Sequence, residues 1–180
     1  MIVVPAIDVR DGRCVRLLQG DYDRELLDDA DPAEVARAYA EAGAAIVHMV
    51  DLDAARDGGR KNAGLIARMA AAVTSAGARV QVGGGVRSAE ALQEVLDAGA
   101  SFAVVGTLAA ERPEALRELV DRFGARVVLG LDARDGVVAV RGWERSSGIT
   151  ALDLARRARE AGVERAVYTN VANDGTLQGP

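Results

Sequence analysis

Residues 79–107 run RVQVGGGVRSAEALQEVLDAGASFAVVGT. An apolar run, Arg79–Val82, ends in three glycines, Gly83 to Gly85, and Ser88 then opens a helical pattern reaching about Ala98. A second apolar run, Phe102–Val105, ends in Gly106-Thr107. Two successive strands therefore end in glycine and small-polar loops, one leading at once into a helix N-terminus. Backbone without side chains lets N–H groups converge, and a helix N-terminus adds partial positive charge, so phosphate is the natural guest. One such loop alone is equally well read as a tight strand-to-helix turn. Two on neighbouring strands favour a phosphorylated ligand.

Working outward, the rest of the chain repeats this alternation. Ile2–Ile7 is a short apolar run ending at Asp8, and residues 10–31 are polar and glycine-containing, the pattern of a long loop. Asp31, Pro32 and Glu34 fit the N-cap, first position and capping-box partner of a helix reaching about Ala42. Ala45–Val50 predicts a strand ending at Asp51, and a helix from about Asn62 to Ala76 is stopped by Gly77. Pro113–Phe123 predicts a helix, Arg126–Leu131 a strand ending at Asp132, and Thr150 with Asp153 a capped helix to Ala161. Arg165–Tyr168 predicts a last strand ending at Thr169. Ala-Gly-Ala or a close variant separates helix from strand at 42–44, 76–78, 98–100 and 161–163. Apolar strands alternating with amphipathic helices indicate a parallel sheet covered by helices. Polar residues and glycines gather after the strands, which places chemistry at their carboxyl ends, in a barrel or a doubly wound sheet.

An internal repeat decides between the two. IDVRDGRCVR at 7–16 resembles LDARDGVVAVR at 131–141, an offset of about 124 residues. Four βα units per half give an eight-unit (β/α)8 TIM barrel assembled from two half-barrels. The expected organisation is one α/β domain over 1–180, with the first half-barrel at about 1–124 and the second starting at 125–180. A complete barrel of this kind needs roughly 240 residues, so about six units are expected here and the sequence reads as truncated. On that reading a second pair of phosphate loops falls outside it, and the chain alone is expected to have little activity.

Composition narrows the function. Nearly half of the 180 residues are hydrophobic, with few aromatics, which suits a core of Ala, Val and Leu. Net charge is −5 and the basic residues are scattered, which argues against nucleic acid as the main partner. Arg16, Arg87, Arg134 and Arg141 remain available to a phosphorylated small molecule. The single cysteine, Cys14, precludes an internal disulfide or a cysteine metal cluster and suits a reducing, cytoplasmic setting. With one His and one Cys, no metal-ligand or nucleophile–base set can be composed. No apolar run reaches membrane-spanning length.

Asp8 and Asp132 occupy equivalent places in the repeat, which a two-fold barrel sets across its mouth. Two carboxyls with different pKa values serve as base and acid, the requirement of a proton-shuttling isomerisation. The alternative is that each only fixes its own loop. Asp11 and Asp135, each followed by Gly, are turn residues. His48, in an apolar strand, reads as a packed residue. Trp143, expected in the loop after the strand ending at Asp132, either stacks on a planar ring or covers the barrel mouth. Thr169 offers a hydroxyl to a carboxylate or a substrate hydroxyl, and Asp51 does the same or is structural.

PAIDVRDGRCVRLLQGDYD at 5–23, HMVDLDAA at 48–55, GGGVRS at 83–88, VGT at 105–107, LDARDG at 131–136, RGW at 141–143 and DGTLQGP at 174–180 together resemble one family. It is the phosphoribosylformimino-5-aminoimidazole carboxamide ribotide isomerase family of histidine biosynthesis, in the ribulose-phosphate-binding barrel superfamily. The related cyclase family shares the half-barrel repeat. It typically has Cys-Leu-Asp at strand one and a Lys further on, where this chain has Ala6-Ile7-Asp8 and Arg16. The resemblance implies an Amadori rearrangement of an aminoaldose ribosyl phosphate to an aminoketose, with Asp8 as proton acceptor and Asp132 as proton donor. It implies that Gly84, Gly85, Gly106 and Thr107 hold one of two substrate phosphates, with Arg16, Trp143 and Thr169 lining the middle. No cofactor or metal is implied, and the partner is a bisphosphorylated small molecule, not nucleic acid or membrane. The oligomeric state stays open, with a monomeric parent as the expectation. The family usually carries an acidic residue after the Thr of strand six, where this chain has Asn170. That argues against an added phosphoribosylanthranilate isomerase activity. The remaining alternatives are that activity alone, or a non-catalytic phosphate-sugar-binding half-barrel.

Overall fold

The structure, a computed structural model, describes residues 2–176. Its body is six parallel strands: β1 (Ala6–Arg10), β4 (Ile46–Asp51), β5 (Arg79–Gly83), β6 (Phe102–Val105), β7 (Val127–Arg134) and β10 (Ala166–Asn170), hydrogen-bonded in that order. The helices between them are α1 (Pro32–Glu41), α2 (Leu52–Asp57), α3 (Ala63–Ser75), α4 (Ala89–Asp97), α5 (Thr107–Glu111), α6 (Pro113–Phe123) and α7 (Ala151–Glu160).

Side-chain alternation explains the architecture. One face of the parallel strands β1 to β7 carries buried apolar residues, among them Val47 and Met49 on β4, Val80 and Val82 on β5, and Val127 and Leu129 on β7. These belong to the same core as Ala36 of α1, Met69 of α3, Leu92 of α4 and Leu154 of α7, each large side chain contributing about 1.5–3 kcal/mol. Residues of opposite parity, including Asp8, His48, Gln81, Gly130, Asp132 and Thr169, line one cavity. All six parallel strands contribute to that cavity, so the sheet curls around it, as strands do in a (β/α) barrel. Among the described residues β1 and β10 are not paired with each other, so the described sheet is open between them.

The helix ends follow local chemistry. Asp31 accepts from the Ala33 N–H at the start of α1, Ser88 Oγ from Ala91 N–H at α4, and Thr150 Oγ1 from Asp153 N–H at α7; each cap stabilises by about 1 kcal/mol. Glu34 pairs with Arg37. No described helix is long and apolar enough to cross a membrane.

Four expectations need correction. Residues 10–31 are no loop: β2 (Arg13–Leu18) and β3 (Asp21–Asp28) form an antiparallel extension of β1. The equivalent extension of β7 is β8 (Val137–Val140) with β9 (Arg145–Thr150). The first strand begins at Ala6 rather than Ile2 and runs on to Arg10, and β7 runs on to Arg134. Asp8 and Asp132 therefore lie inside strands, because each strand continues outward by pairing with its own hairpin partner. Short helices α2 and α5 occupy what read as loops after β4 and β6.

The repeat recurs in the register. Val9 pairs with Cys14 and Arg10 with Arg13, while Ala133 pairs with Val138 and Arg134 with Val137. Both turns use Asp-Gly in the left-handed region, with φ +48° and +78° at Asp11-Gly12 and +51° and +78° at Asp135-Gly136, the geometry of a two-residue hairpin turn. The turn reading of both aspartates stands.

Candidate functional site

A cavity of about 670 Å³ occupies the inside of the curled sheet, a size suited to a small organic ligand. Asp8 enters it from β1, where its neighbours Ile7 and Val9 are buried on the other face. Asp132 enters from β7 between buried Leu131 and Ala133, and Thr169 lies beside it in register on β10.

Asp8 is half-buried. Burial, then the negative charge of Asp174, push its pKa up from 3.8 to about 6, against the opposing charge of Arg16. That value makes it a carboxylate poised near neutral pH, the property of an effective general base. Asp174 also lines the cavity, and its own pKa is raised by burial and by Asp132, with Arg16 opposing. Three carboxyl groups thus share one enclosure, with Asp174 acting on Asp8 and Asp132 acting on Asp174.

Asp174 is held there by a tightly bonded turn. The Asn170 carbonyl, at the end of β10, accepts from the N–H groups of Asn173 and Asp174. The Asp174 carbonyl accepts from Gln19 N–H at 3.0 Å, and the Ala172 carbonyl accepts from the Gln19 side chain at 2.6 Å. The turn after β10 is thereby docked on the β2–β3 turn.

The same β2–β3 turn meets the second hairpin. Trp143 sits between β8 and β9 with φ +70° and lines the cavity, and its indole covers Gly20, where a Cβ would overlap the ring. The expected loop position of Trp143 is thus a turn between two strands, where it covers a neighbouring glycine and walls the cavity.

The glycine loops line the cavity as well: Gly84 and Gly85 after β5, Gly106 and Thr107 after β6. Gly84 and Gly85 have φ +96° and +72°. A Cβ on Gly84 would overlap the carbonyl of Asp51, and one on Gly85 would fall 2.7 Å from the Ala54 Cβ. Close packing on the β4–α2 corner therefore accounts for both glycines even before any ligand is considered. Thr107 Oγ1 accepts from Arg141 N–H at 3.0 Å.

The basic residues divide. Arg87 lines the cavity and donates to the carbonyls of Ala55 and Arg56. Arg141 lines it too, with its guanidinium paired with Glu111 at 3.0 Å. Arg16 is exposed and its charge acts on Asp8 and Asp174, but it does not line the cavity. Arg134, exposed at the end of β7, does not line it either.

Asp51 is buried, caps α2 through Ala54 N–H at 3.0 Å, and accepts from Asn62 Nδ2 at 2.8 Å; its role is structural. His48 is a correction: it sits on the cavity face of β4, with Gln81 beside it on β5. Sequence reasoning also passed over Asp174 and Gln81. For Gln81 the available signal was a polar side chain at an inward position of an otherwise apolar strand; Asp174, in the turn after β10, had no such signal. Among the described residues, no group of three or more His, Cys, Asp or Glu side chains is placed to hold a metal ion.

Known proteins match the chain in sequence over its whole length. The family described as histidine biosynthesis protein matches residues 2–180. A relative from Moorella thermoacetica, named 1-(5-phosphoribosyl)-5-((5-phosphoribosylamino)methylideneamino)imidazole-4-carboxamide isomerase, is 50% identical over 180 residues, covering all of this chain and 73% of the relative. Proteins of the same name from Cyanothece sp. and Picosynechococcus sp. are 47% and 44% identical over 180 residues, each across all of this chain and 69% of their own length. Paired inward carboxyls, strand-end glycine loops and the repeated hairpins fall within the matched region, and the chain belongs to the histidine biosynthesis protein family.

Proposed function

We propose that this protein isomerises 1-(5-phosphoribosyl)-5-((5-phosphoribosylamino)methylideneamino)imidazole-4-carboxamide, converting its aminoaldose to the aminoketose in an Amadori rearrangement. The observation that carries this reading is the Asp8 carboxyl, tuned to about 6 inside a cavity that it shares with Asp132 and the two glycine loops. The identity of the isomerase relatives across the whole chain supports the substrate.

Reaching the enolamine needs two proton transfers, and its conversion to the ketose two more. Protonation of the furanose oxygen breaks its bond to C1 and leaves a protonated imine. Removal of the C2 proton then gives an enolamine, which becomes the ketose when C1 takes up a proton and the C2 hydroxyl loses one. In our assignment Asp132 donates to the ring oxygen and Asp8 accepts from C2. With a pKa of about 6, Asp8 is largely ionised at neutral pH and still basic enough to take a proton. Asp174 maintains that basicity through its charge. We assign one phosphate to the backbone around Gly84, Gly85, Gly106 and Thr107, where convergent N–H groups suit an anion. Trp143 and Thr169 flank the middle of the substrate, and Arg16 acts from outside the cavity on the carboxylates. We further assign 1–124 to a first half-barrel and 125–180 to the start of a second copy of that unit.

The test pairs turnover with calorimetric binding of the bisphosphorylated aminoaldose. Asp8→Asn and Asp132→Asn should each bind it and lose at least about 1,000-fold in turnover, in line with general acid–base contributions. Turnover retained in both variants would sink the proposal. Binding without turnover in the unsubstituted protein would favour the phosphate-sugar-binding alternative.

A further inference from the structure

The turn between β2 and β3 departs from the pattern of its neighbours. Asp11-Gly12 and Asp135-Gly136 place Asp and then Gly in the left-handed region, and Gln19-Gly20 does the same with φ +53° and +73°. Such turns favour Asn, Asp or Gly at the first position, where a short side chain tolerates positive φ. Glutamine is a poor choice for the turn itself. Gln19 is also exposed, so it adds nothing to the core.

Its length serves a contact far along the chain. Gln19 Nε2 donates to the Ala172 carbonyl at 2.6 Å across a sequence separation of 153, and Gln19 N–H donates to the Asp174 carbonyl at 3.0 Å. Asparagine is one methylene shorter, and aspartate has no donor. The root of the turn after β10 is anchored as well, since Val171 is fully buried and its N–H donates to the Ala133 carbonyl at 2.9 Å. Beyond Asp174 the turn lies against β2, where a Cβ at Gly175 would fall 2.6 Å from the Leu17 carbonyl oxygen. Between these supports the Asp174 side chain enters the cavity. There its charge acts on Asp8 of β1, while Asp132 of β7 and Arg16 of β2 act on Asp174.

We propose that Gln19 is a positioning residue, whose side-chain amide holds the turn after β10 so that the Asp174 carboxylate stays within reach of Asp8, the proposed proton acceptor. This rests on the isomerase reading above. Gln19 does not line the cavity, so its effect on the reaction passes through Asp174. The interaction of two charges weakens with distance and with the entry of water. A turn released from Gln19 therefore leaves Asp8 a weaker base.

Gln19→Asn isolates the side-chain contact, because Asn suits the turn and does not reach Ala172. Urea unfolding should show at least the stability of the unsubstituted protein. Carboxyl-carbon NMR follows Asp8, whose signal is the one that Asp8→Asn removes. The Asp8 pKa, about 6 in the unsubstituted protein, should fall in Asp174→Asn and in Gln19→Asn. It should fall no further when those two substitutions are combined. With the bisphosphorylated aminoaldose, Gln19→Asn should lose about fivefold or more in kcat while KM stays within about twofold. An unchanged Asp8 titration in Gln19→Asn, or shifts that add in the double variant, would overturn the proposal and leave the isomerase reading standing. A Gln19→Asn chain that does not fold would also overturn it, by making the residue structural. Substrate bound without turnover by the unsubstituted protein would overturn the isomerase reading, whereas the titration needs no substrate and still decides whether Gln19 holds Asp174.

Discussion

Replacing Asp8 with Asn should make the protein more stable at neutral pH while abolishing its proposed activity. The Asp8 pKa in the folded protein is about 6 against an ordinary value of 3.8, so the fold disfavours the ionised carboxyl. Below pH 3.8 the group is protonated in both folded and unfolded chains and costs nothing. As pH rises towards 6 the unfolded chain ionises first, and the cost grows; above 6 it is constant. The full shift of about two units corresponds to a ceiling of about 3 kcal/mol. Partial exposure and relaxation of the Arg16 and Asp174 charges reduce this to about 1–2 kcal/mol. Asn keeps the size and hydrogen-bonding capacity without the charge. Urea unfolding followed by circular dichroism at pH 5, 7 and 8 measures the difference. The variant should gain about 1–2 kcal/mol at pH 7 and 8 and roughly half of that at pH 5. A variant less stable than the parent at pH 8, or a gain independent of pH, would refute the account of Asp8 as a carboxyl held against its preference.

Other outcomes follow from the same geometry. Asp174→Asn removes a charge that raises the Asp8 pKa, so the acid limb of the kcat/KM profile should move to lower pH; an unmoved limb would show that Asp174 does not act on the base. Gly84→Ala places a Cβ against the Asp51 carbonyl at φ +96° and should cost about 3 kcal/mol or more. Gly136→Ala at φ +78°, with nothing within 4 Å, should cost only about 1–2 kcal/mol; equal losses by denaturant titration would contradict the packing argument. Asn62 accepts from Gly12 N–H at 3.1 Å and donates to Asp51 and Asp53 at 2.8 Å. Asn62→Ala should therefore cost about 2 kcal/mol and increase amide exchange at the Asp11-Gly12 turn.

Local chemistry was legible where it was self-contained. Asp31, Ser88 and Thr150 cap the helices expected from their positions, because a cap needs only its own helix end. The parallel strands were legible for a similar reason, since continuous apolar runs bounded by Ala-Gly-Ala are unusual outside buried sheets. The two hairpins were not. Asp11-Gly12 and Asp135-Gly136 mark hairpin turns, but in β2 the flanking Arg13 and Arg16 are exposed and β3 is charged, so their periodicity is weak. What makes them strands is pairing with β1 and β7, a long-range fact.

The site was legible as residue types more than as geometry. Asp8, Asp132, Trp143, Thr169 and the glycine loops all line one cavity. Asp174 was missed because its place depends on the docking of the β10 turn onto Gln19, which no local pattern encodes. Gly84 and Gly85 show a different limit, since glycine required by packing and glycine required by a phosphate look the same in a sequence.

The most direct test of the central claim uses substrate carrying deuterium at C2 of the reacting ribosyl. If Asp8 takes that proton, the protein should release deuterium to water or return it during turnover, with a primary isotope effect on the step. Asp8→Asn should bind the substrate and leave the label in place. Deuterium lost at the parent rate in Asp8→Asn would contradict the account.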